Sequence, residues 1–336
     1  MSCYIIAEIG VNHAGSVELA KKMIDAAKKS GADAVKFQTF TADKLVSDST
    51  PKVKYQESTT DKDESHYQMI KSLEFSYKDH IPVFEYCRKL NVDFISTPYD
   101  IESAEFLVSI GVTIFKTASA DIVDLSLQEF IAEHAEHAIV STGMATLGEV
   151  EQVVDIYRKH NCKLTLLHCV SNYPCSFESL NLNAMNTLKN SFFCDVGYSD
   201  HAAGPIPSVA AVALGATVIE KHFTLDKSMP GPDHKASSEP QEFKELVDAI
   251  RTAEVSLGSP IKSIQKEEMQ MRQVSRKSLF IAQDIQEGTI LTADMFTLKR
   301  PGTGFYEAEL QSIVGSVSTK TLIVGHMLQV GDFRSA

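Results

Sequence analysis

No apolar run in this sequence approaches the roughly 20 residues of a membrane span, which argues against a helical membrane protein. The first residues, MSCYIIAEIG, lack the basic region and cleavage site of a signal peptide. The six cysteines (Cys3, Cys87, Cys162, Cys169, Cys175 and Cys194) form no CxxC pair and no disulfide framework, so reduced thiols and a cytoplasmic location are expected. Basic surplus is also missing. With a net charge of −12 and no basic stripe, a nucleic-acid surface is not expected, and any anionic ligand must be held by a few placed cations. There is no GxSxG elbow, no Walker loop, no HExxH and no glycine-rich fingerprint after the first strand, so several common chemistries fall away.

What is present is a rhythm. The runs YIIAEIG, AVKFQTF, DFISTPY, IFKTAS, AIVSTGM, LTLLHCV, DVGYSDH and TVIEKHF recur through the first two-thirds of the chain. Stretches of helical period separate most of them. SVELAKKMIDAAKKSG is one, with Ser16 placed to cap it and Gly31 to stop it. Eight strands alternating with helices predict an α/β fold, a closed (β/α)8 barrel, over residues 1–258; an open doubly wound sheet is the alternative. The connection at residues 41–92 is unusually long and polar, in the manner of a lid. Residues 259–275 read as a partly helical linker. In the tail, 276–336, IQEGTIL and LIVGHML repeat one pattern about Gly288 and Gly325, which predicts a small, mostly β domain with internal pseudo-symmetry. So small a domain buries little surface alone and needs something to pack on.

Strand side chains alternate between faces, so Glu8 shares a face with Ile6 and Gly10, Lys36 with Gln38, Ser199 with His201, and Glu220 with His222. Each of these polar residues falls near the C-terminal end of its strand, the catalytic mouth of such a barrel. Lys36 and Lys116 inside strands would be buried ammonium groups, costly unless an anion pairs with them. One reading is a dianionic ligand, a phosphate or phosphocarboxylate, held by both lysines and by Ser119, Ser141 and Ser199. The plainer one is a pair of internal salt bridges. His201 and His222 end adjacent strands, with Glu220 and Asp233 close by in sequence. That cluster suits a divalent metal, Mn²⁺ or Mg²⁺ rather than structural zinc; ordinary core histidines are the plainer reading. A Schiff base at Lys116 ranks lower, because it leaves a metal pair redundant.

The motifs AEIGVNHAGS, VKFQTF, STPYD, STGMAT, LLHCVSNYP, GYSDH, IEKHFTLDKSMPGPDHKAS and KRPGTG, in this order, resemble the sialic acid (nonulosonate) synthase family from about residue 4 to residue 333. The resemblance implies a TIM barrel followed by an antifreeze-like SAF domain of β-clip type, in a domain-swapped homodimer. The implied reaction condenses phosphoenolpyruvate with an open-chain N-acylated hexosamine and water, releasing phosphate by C–O cleavage. N-acetylmannosamine is the expected acceptor, with a 2,4-diacetamido-6-deoxy hexose as the alternative.

It further implies Mn²⁺ (Mg²⁺ or Co²⁺ as substitutes) on His201 and His222, and phosphoenolpyruvate on Lys36, Lys116, Ser119, Ser141 and Ser199. The sugar would meet Glu8, Gln38, Tyr173 and Asp233, with Arg300 reaching the N-acyl group in the partner. Glu8, Asp121 and Glu220 are the implied catalytic carboxylates. Two positions depart from the family pattern: Asp121, in SAD, stands where a glutamate is usual, and Ser171 replaces a larger polar residue. Rival classes are a sugar- or ice-binding protein and a metal-dependent hydrolase.

Overall fold

A computed structural model describes all residues except 1, 48, 54, 55, 57, 58 and 62. The chain divides into two compact units, Met1–Gly258 and Ser259–Ala336. In the first, β1 (Tyr4–Gly10), β2 (Ala34–Thr39), β3 (Asp93–Pro98), β4 (Ile114–Thr117), β5 (His137–Ser141), β6 (Lys163–Cys169), β7 (Asp195–Asp200) and β8 (Val218–His222) close in that order into a parallel barrel. The expected punctuation operates: Ser16 Oγ accepts from the amide of Leu19 at the start of helix Val17–Lys29, and Gly31 follows it at φ 93°. Helices on the outer face bury Met23, Ile24, Val83, Leu107, Ile131 and Val153 against the strands.

Two-residue periodicity organises the barrel interior. A lower tier of Ile6, Ala34, Ile95, Ile114, Ile139, Leu167 and Val218 plugs it with aliphatic groups. Gly197 belongs to this tier, and a Cβ there would lie 2.6 Å from Leu167 Cδ2. One step of two residues up each strand lie Glu8, Lys36, Thr97, Lys116, Ser141, Cys169, Ser199 and Glu220, all lining one cavity. The register that aligns them is direct: Glu8 pairs with Lys36 and with His222, and Ser199 pairs with Glu220.

The long connection after β2 resolves into parts. Helix Tyr77–Leu90 is the ordinary crossover to β3, so the excursion is shorter than the 41–92 expected from sequence. Helix His66–Leu73 and the short helix Ala42–Leu45 carry an apolar cluster of Phe40, Leu45, Met69, Ile70 and Leu73 with Val11 and Tyr99. Residues 48, 54, 55, 57, 58 and 62 of the suggested lid lie outside the described residues.

In the second unit, helix Met269–Ser275 precedes β9 (Ser278–Ile281), which pairs antiparallel with β10 (Phe296–Lys299). β11 (Val317–Ser318) pairs with β12 (Phe333–Arg334). The tail repeat has a structural meaning. Ile285 and Leu322 exchange both backbone hydrogen bonds at 2.8 Å, and Gly288 and Gly325 turn at φ 84° and 85°. Leu291 and Leu328 end the two copies in the same core. Only glycine enters that left-handed turn without strain, which fixes the spacing of both copies.

Candidate active site at the barrel mouth

The cavity over the polar tier encloses about 420 Å³. Lys36 Nζ lies 2.8 Å from Glu8 Oε2, 3.0 Å from Thr97 Oγ1 and 3.9 Å from Glu220 Oε2. Lys116 Nζ donates to Ser141 Oγ at 2.5 Å and to the Thr117 carbonyl at 2.7 Å, and lies 3.9 Å from Glu220 Oε1. Ser199 donates to Glu220 Oε1 at 2.9 Å, and Gln38 donates to Glu8 Oε1 at 3.1 Å. The internal ion pairs weighed from the sequence therefore exist. They do not saturate the site, since Glu220 is shared between two ammonium groups, neither within hydrogen-bond distance of it.

Burial and neighbours push these groups apart. Burial raises the Glu8 carboxyl, with Lys36 opposing and Glu220 assisting, to about 7. Burial also acts upward on Glu220, but Lys116 and Lys36 overcome it and hold that carboxylate low, at about 2. Lys116 is lowered by burial, against the pull of Glu220, whereas Lys36 rises because Glu8 and Glu220 outweigh its burial. Two carboxylates with opposite shifts beside one lysine are the pattern of an acid–base pair.

One step of two residues further up the strands is a second tier. It includes Gln38, Tyr99, Ala118, Ser171, His201 and His222, with Tyr173, Pro232 and Asp233 from the loops. The imidazoles of His201 and His222 have centroids 5.5 Å apart, and the Tyr173 ring lies 4.1 Å from that of His201. His201 Nδ1 is 2.8 Å from the Val170 carbonyl, a contact it makes as a donor, which leaves the lone pair on Nε2. His222 Nδ1 is buried without a hydrogen-bond partner among the described residues. Burial pushes His222 down to about 3; for His201 the same effect is outweighed by the Cys169 thiol beside Nδ1, and the shift is upward. Burial raises Asp233 to about 6 against His201 and Lys36. Two imidazoles with nearby carboxylate oxygens and no thiolate cage form a donor set that fits a divalent ion with open positions. A separate group, Glu129, Glu133 and His160, stands on helices outside the barrel, where Lys159 and His160 already pair with Glu129.

Gly143 shapes a third wall. Its amide donates to Ser119 Oγ at 3.0 Å, and a Cβ would fall 2.5 Å from Ser171 Oγ and 2.7 Å from Ser119 Oγ. Backbone and hydroxyls thus converge where any side chain would block them.

Of the residues singled out from sequence, Glu8, Lys36, Gln38, Lys116, Ser119, Ser141, Tyr173, Ser199, His201, Glu220, His222 and Asp233 share this cavity. Asp121 does not line it. It sits in the 3-10 turn Ser119–Val123, where burial, assisted by Asp124 and opposed by Lys116, raises it to about 7. Arg300 is exposed, at the end of β10 in the second unit. Sequence reading missed Thr97 and Cys169, although both stand two residues after a tier aliphatic. It also missed the apolar wall of Phe40, Leu45, Met69, Ile70 and Leu73, for which a helical stretch inside a polar loop was the only signal.

A parallel barrel that gathers its buried ionisable groups at one mouth belongs to the (β/α)8 enzymes, here followed by a small β domain. Residues 23–262 match the NeuB family and residues 276–334 match the SAF domain, and the chain belongs to the NeuB family. It is 47% identical over 319 residues to the N,N'-diacetyllegionaminic acid synthase of Campylobacter jejuni, covering 94% of this chain and 96% of that one. The Legionella pneumophila protein of the same name is 44% identical over 333 residues, covering 98% and 94%. Among solved structures, the N-acetylneuraminic acid synthetase of Leptospira borgpetersenii superposes with a TM-score of 0.73 at 35% identity, covering 81% of this chain and 90% of that one. No helix among the described residues is long and apolar enough to cross a membrane.

Proposed function

We propose that this chain is a nonulosonic acid synthase that joins phosphoenolpyruvate to an open-chain 2,4-diacetamido-2,4,6-trideoxy hexose, giving a legionaminate-type acid and phosphate. The observation that carries the reaction is the single cavity in which Lys36, Lys116 and Glu220 face His201 and His222. Lys36 and Lys116 neutralise the phosphate and carboxylate of phosphoenolpyruvate, with Ser119, Ser141 and Ser199 completing the cradle and the Gly143 amide orienting Ser119. His201 and His222 would hold a divalent ion, Mn²⁺ in first place, which when bound would supply Lewis-acid polarisation for the sugar aldehyde. Glu8, Gln38, Tyr173 and Asp233 orient the sugar hydroxyls and aldehyde. Carbon 3 of phosphoenolpyruvate bonds to the aldehyde carbon, and water adds at carbon 2. The C–O bond to phosphate then breaks. Glu8, with a carboxyl poised near neutrality, exchanges the protons this requires, and Glu220 stays ionised against the positive charge developing at carbon 2.

The acceptor follows from a different observation. N-acetylmannosamine carries a hydroxyl at carbon 6, where the trideoxy sugar has a methyl group. Leu45, Met69, Ile70 and Leu73 give the cavity an apolar wall that suits the methyl. The two legionaminic acid synthases above support the same choice. The test is phosphate release by EDTA-stripped protein with phosphoenolpyruvate and Mn²⁺, offering each sugar in turn. Ile70→Thr should narrow the preference for the trideoxy sugar roughly tenfold, the scale of one hydrophobic group in a pocket. Preference for N-acetylmannosamine in the unaltered protein would transfer the reading to a sialate synthase. No release with either sugar would overturn both.

The assembly belongs to the same reading. Val255, Ile261, Met271 and Val274 are exposed large apolar side chains around the start of the second unit. We infer a homodimer in which each SAF domain, with Arg300, covers the partner's barrel; exposed apolar groups of this kind are what an interface between chains would cover. Sedimentation should give twice the 37.0 kDa chain mass at micromolar concentration; a monomer would remove Arg300 from the site.

A further inference from the structure

His201 and His222 are each preceded by a charged residue that the alternation of strand side chains sends to the opposite face. Asp200 and Lys221 pair in register across β7 and β8. Their charged atoms meet at 3.0 Å, with side chains 0% and 3% exposed. Asp200 Oδ1 accepts the Ala202 amide at 2.8 Å, Oδ2 accepts the Ser208 hydroxyl at 2.6 Å, and the Lys221 ammonium donates to the Ala202 carbonyl. Both polar backbone groups of the residue after His201 are therefore gripped by a single buried ion pair. The His201 carbonyl is held as well, accepting the Cys175 amide at 2.9 Å.

A buried ion pair is a poor source of stability, because desolvation cancels much of the attraction and an apolar pair of similar volume often does as well. What this pair does is geometric. It ties the ends of two neighbouring strands at the level where the two imidazoles emerge, and it fixes the peptide after the first of them. We propose that Asp200 and Lys221 are positioning residues that set the separation and aim of His201 and His222 for a shared divalent ion. They act from behind the strands without touching the ion. This rests on the reading of that histidine pair as the metal site.

The test titrates Mn²⁺ into EDTA-stripped protein and follows the free ion by electron paramagnetic resonance, with thermal melting in parallel. The proteins are the unaltered chain, Asp200→Asn, Lys221→Met, the double variant Asp200→Leu with Lys221→Met, and His222→Ala. Each single variant should bind Mn²⁺ about 10–100-fold more weakly, the usual cost of losing an outer partner of a metal ligand. The double variant should recover part of the melting temperature lost by the singles, short of full recovery because the Ala202 amide and carbonyl and the Ser208 hydroxyl lose their partners, yet keep the weakened Mn²⁺ binding. That split separates positioning from stability, and it holds even where a single variant fails to fold. Mn²⁺ affinity within twofold of the unaltered protein in the folded double variant overturns the positioning role alone. An unaltered chain that binds no Mn²⁺, or His222→Ala binding as tightly, overturns the metal reading and the positioning role with it.

Discussion

Lys116→Met is expected to lower kcat/KM for phosphoenolpyruvate by about 10³-fold while leaving the melting temperature of the free protein nearly unchanged. Lys116 is buried, and burial lowers its pKa, so the empty site holds this ammonium at a cost. Methionine fills a similar volume without that cost. Ser141 and the Thr117 carbonyl lose a donor, but Glu220 keeps Lys36 within 3.9 Å. With a bound anion the balance reverses. A desolvated charged hydrogen bond is then missing, which costs about 2–5 kcal/mol, and each 1.36 kcal/mol is tenfold in rate. The same charges set a pH dependence. Below about pH 7 Glu8 is protonated, and Lys36 and Lys116 face the ligand with only Glu220 against them. Above it Glu8 ionises and KM for phosphoenolpyruvate should rise. Steady-state kinetics between pH 6 and 9 checks both claims. A Lys116→Met enzyme within tenfold of normal would remove this lysine from the anion site. Borohydride trapping of a substrate on Lys116 would restore the Schiff-base chemistry ranked lower from sequence.

The sequence carried most of the polar tier of the barrel, because that tier is a consequence of one periodicity. Ile6 to Glu8, Ala34 to Lys36, Ile139 to Ser141 and Val218 to Glu220 are each a step of two residues along a strand. A strand pointing an aliphatic group inward must point the next-but-one residue inward too. What was not legible comes from non-local register. Thr97 and Cys169 look ordinary in STPYD and LLHCV, and only the alignment of β3 with β2 and of β6 with β7 brings them to Lys36 and His201. Asp121 illustrates the reverse. The family resemblance made it a candidate, and the chain there enters a 3-10 turn, whose side chains fan around an axis and do not alternate between faces, so Asp121 lies off the cavity lining. The apolar wall depended on where helix His66–Leu73 folds back, which is a tertiary fact. The tail repeat was legible because two glycines at left-handed positions punctuate it.

Glu220→Gln should lower the melting temperature by roughly 10 °C near pH 7, and the loss should shrink as pH rises toward 9. Removing one partner of a buried pair costs about 3–5 kcal/mol, and each kcal/mol is worth about 2–4 °C in a domain of this size. Lys36 retains Glu8 at 2.8 Å, and Glu8 ionises more readily once the Glu220 charge that helped to raise it is gone, so the uncompensated charge falls on Lys116, whose only carboxylate within 4 Å is Glu220 among the described residues. An unpaired buried lysine has a folded pKa below its unfolded value near 10.4. The folded state then binds fewer protons than the unfolded one, and stability rises with pH through that window. An anion in the cradle supplies the missing negative charge. Phosphoenolpyruvate or inorganic phosphate should therefore raise the melting temperature of Glu220→Gln more than that of the unaltered protein. Turnover should stay low even when stability is restored, because an amide offers no charge against the positive centre at carbon 2. Melting curves with and without 10 mM phosphate, at pH 7 and pH 9, separate these effects. A deficit that ignores both pH and phosphate would mean that Glu220 balances neither lysine, and the division of charge between the two cations and the shared carboxylate would have to be redrawn.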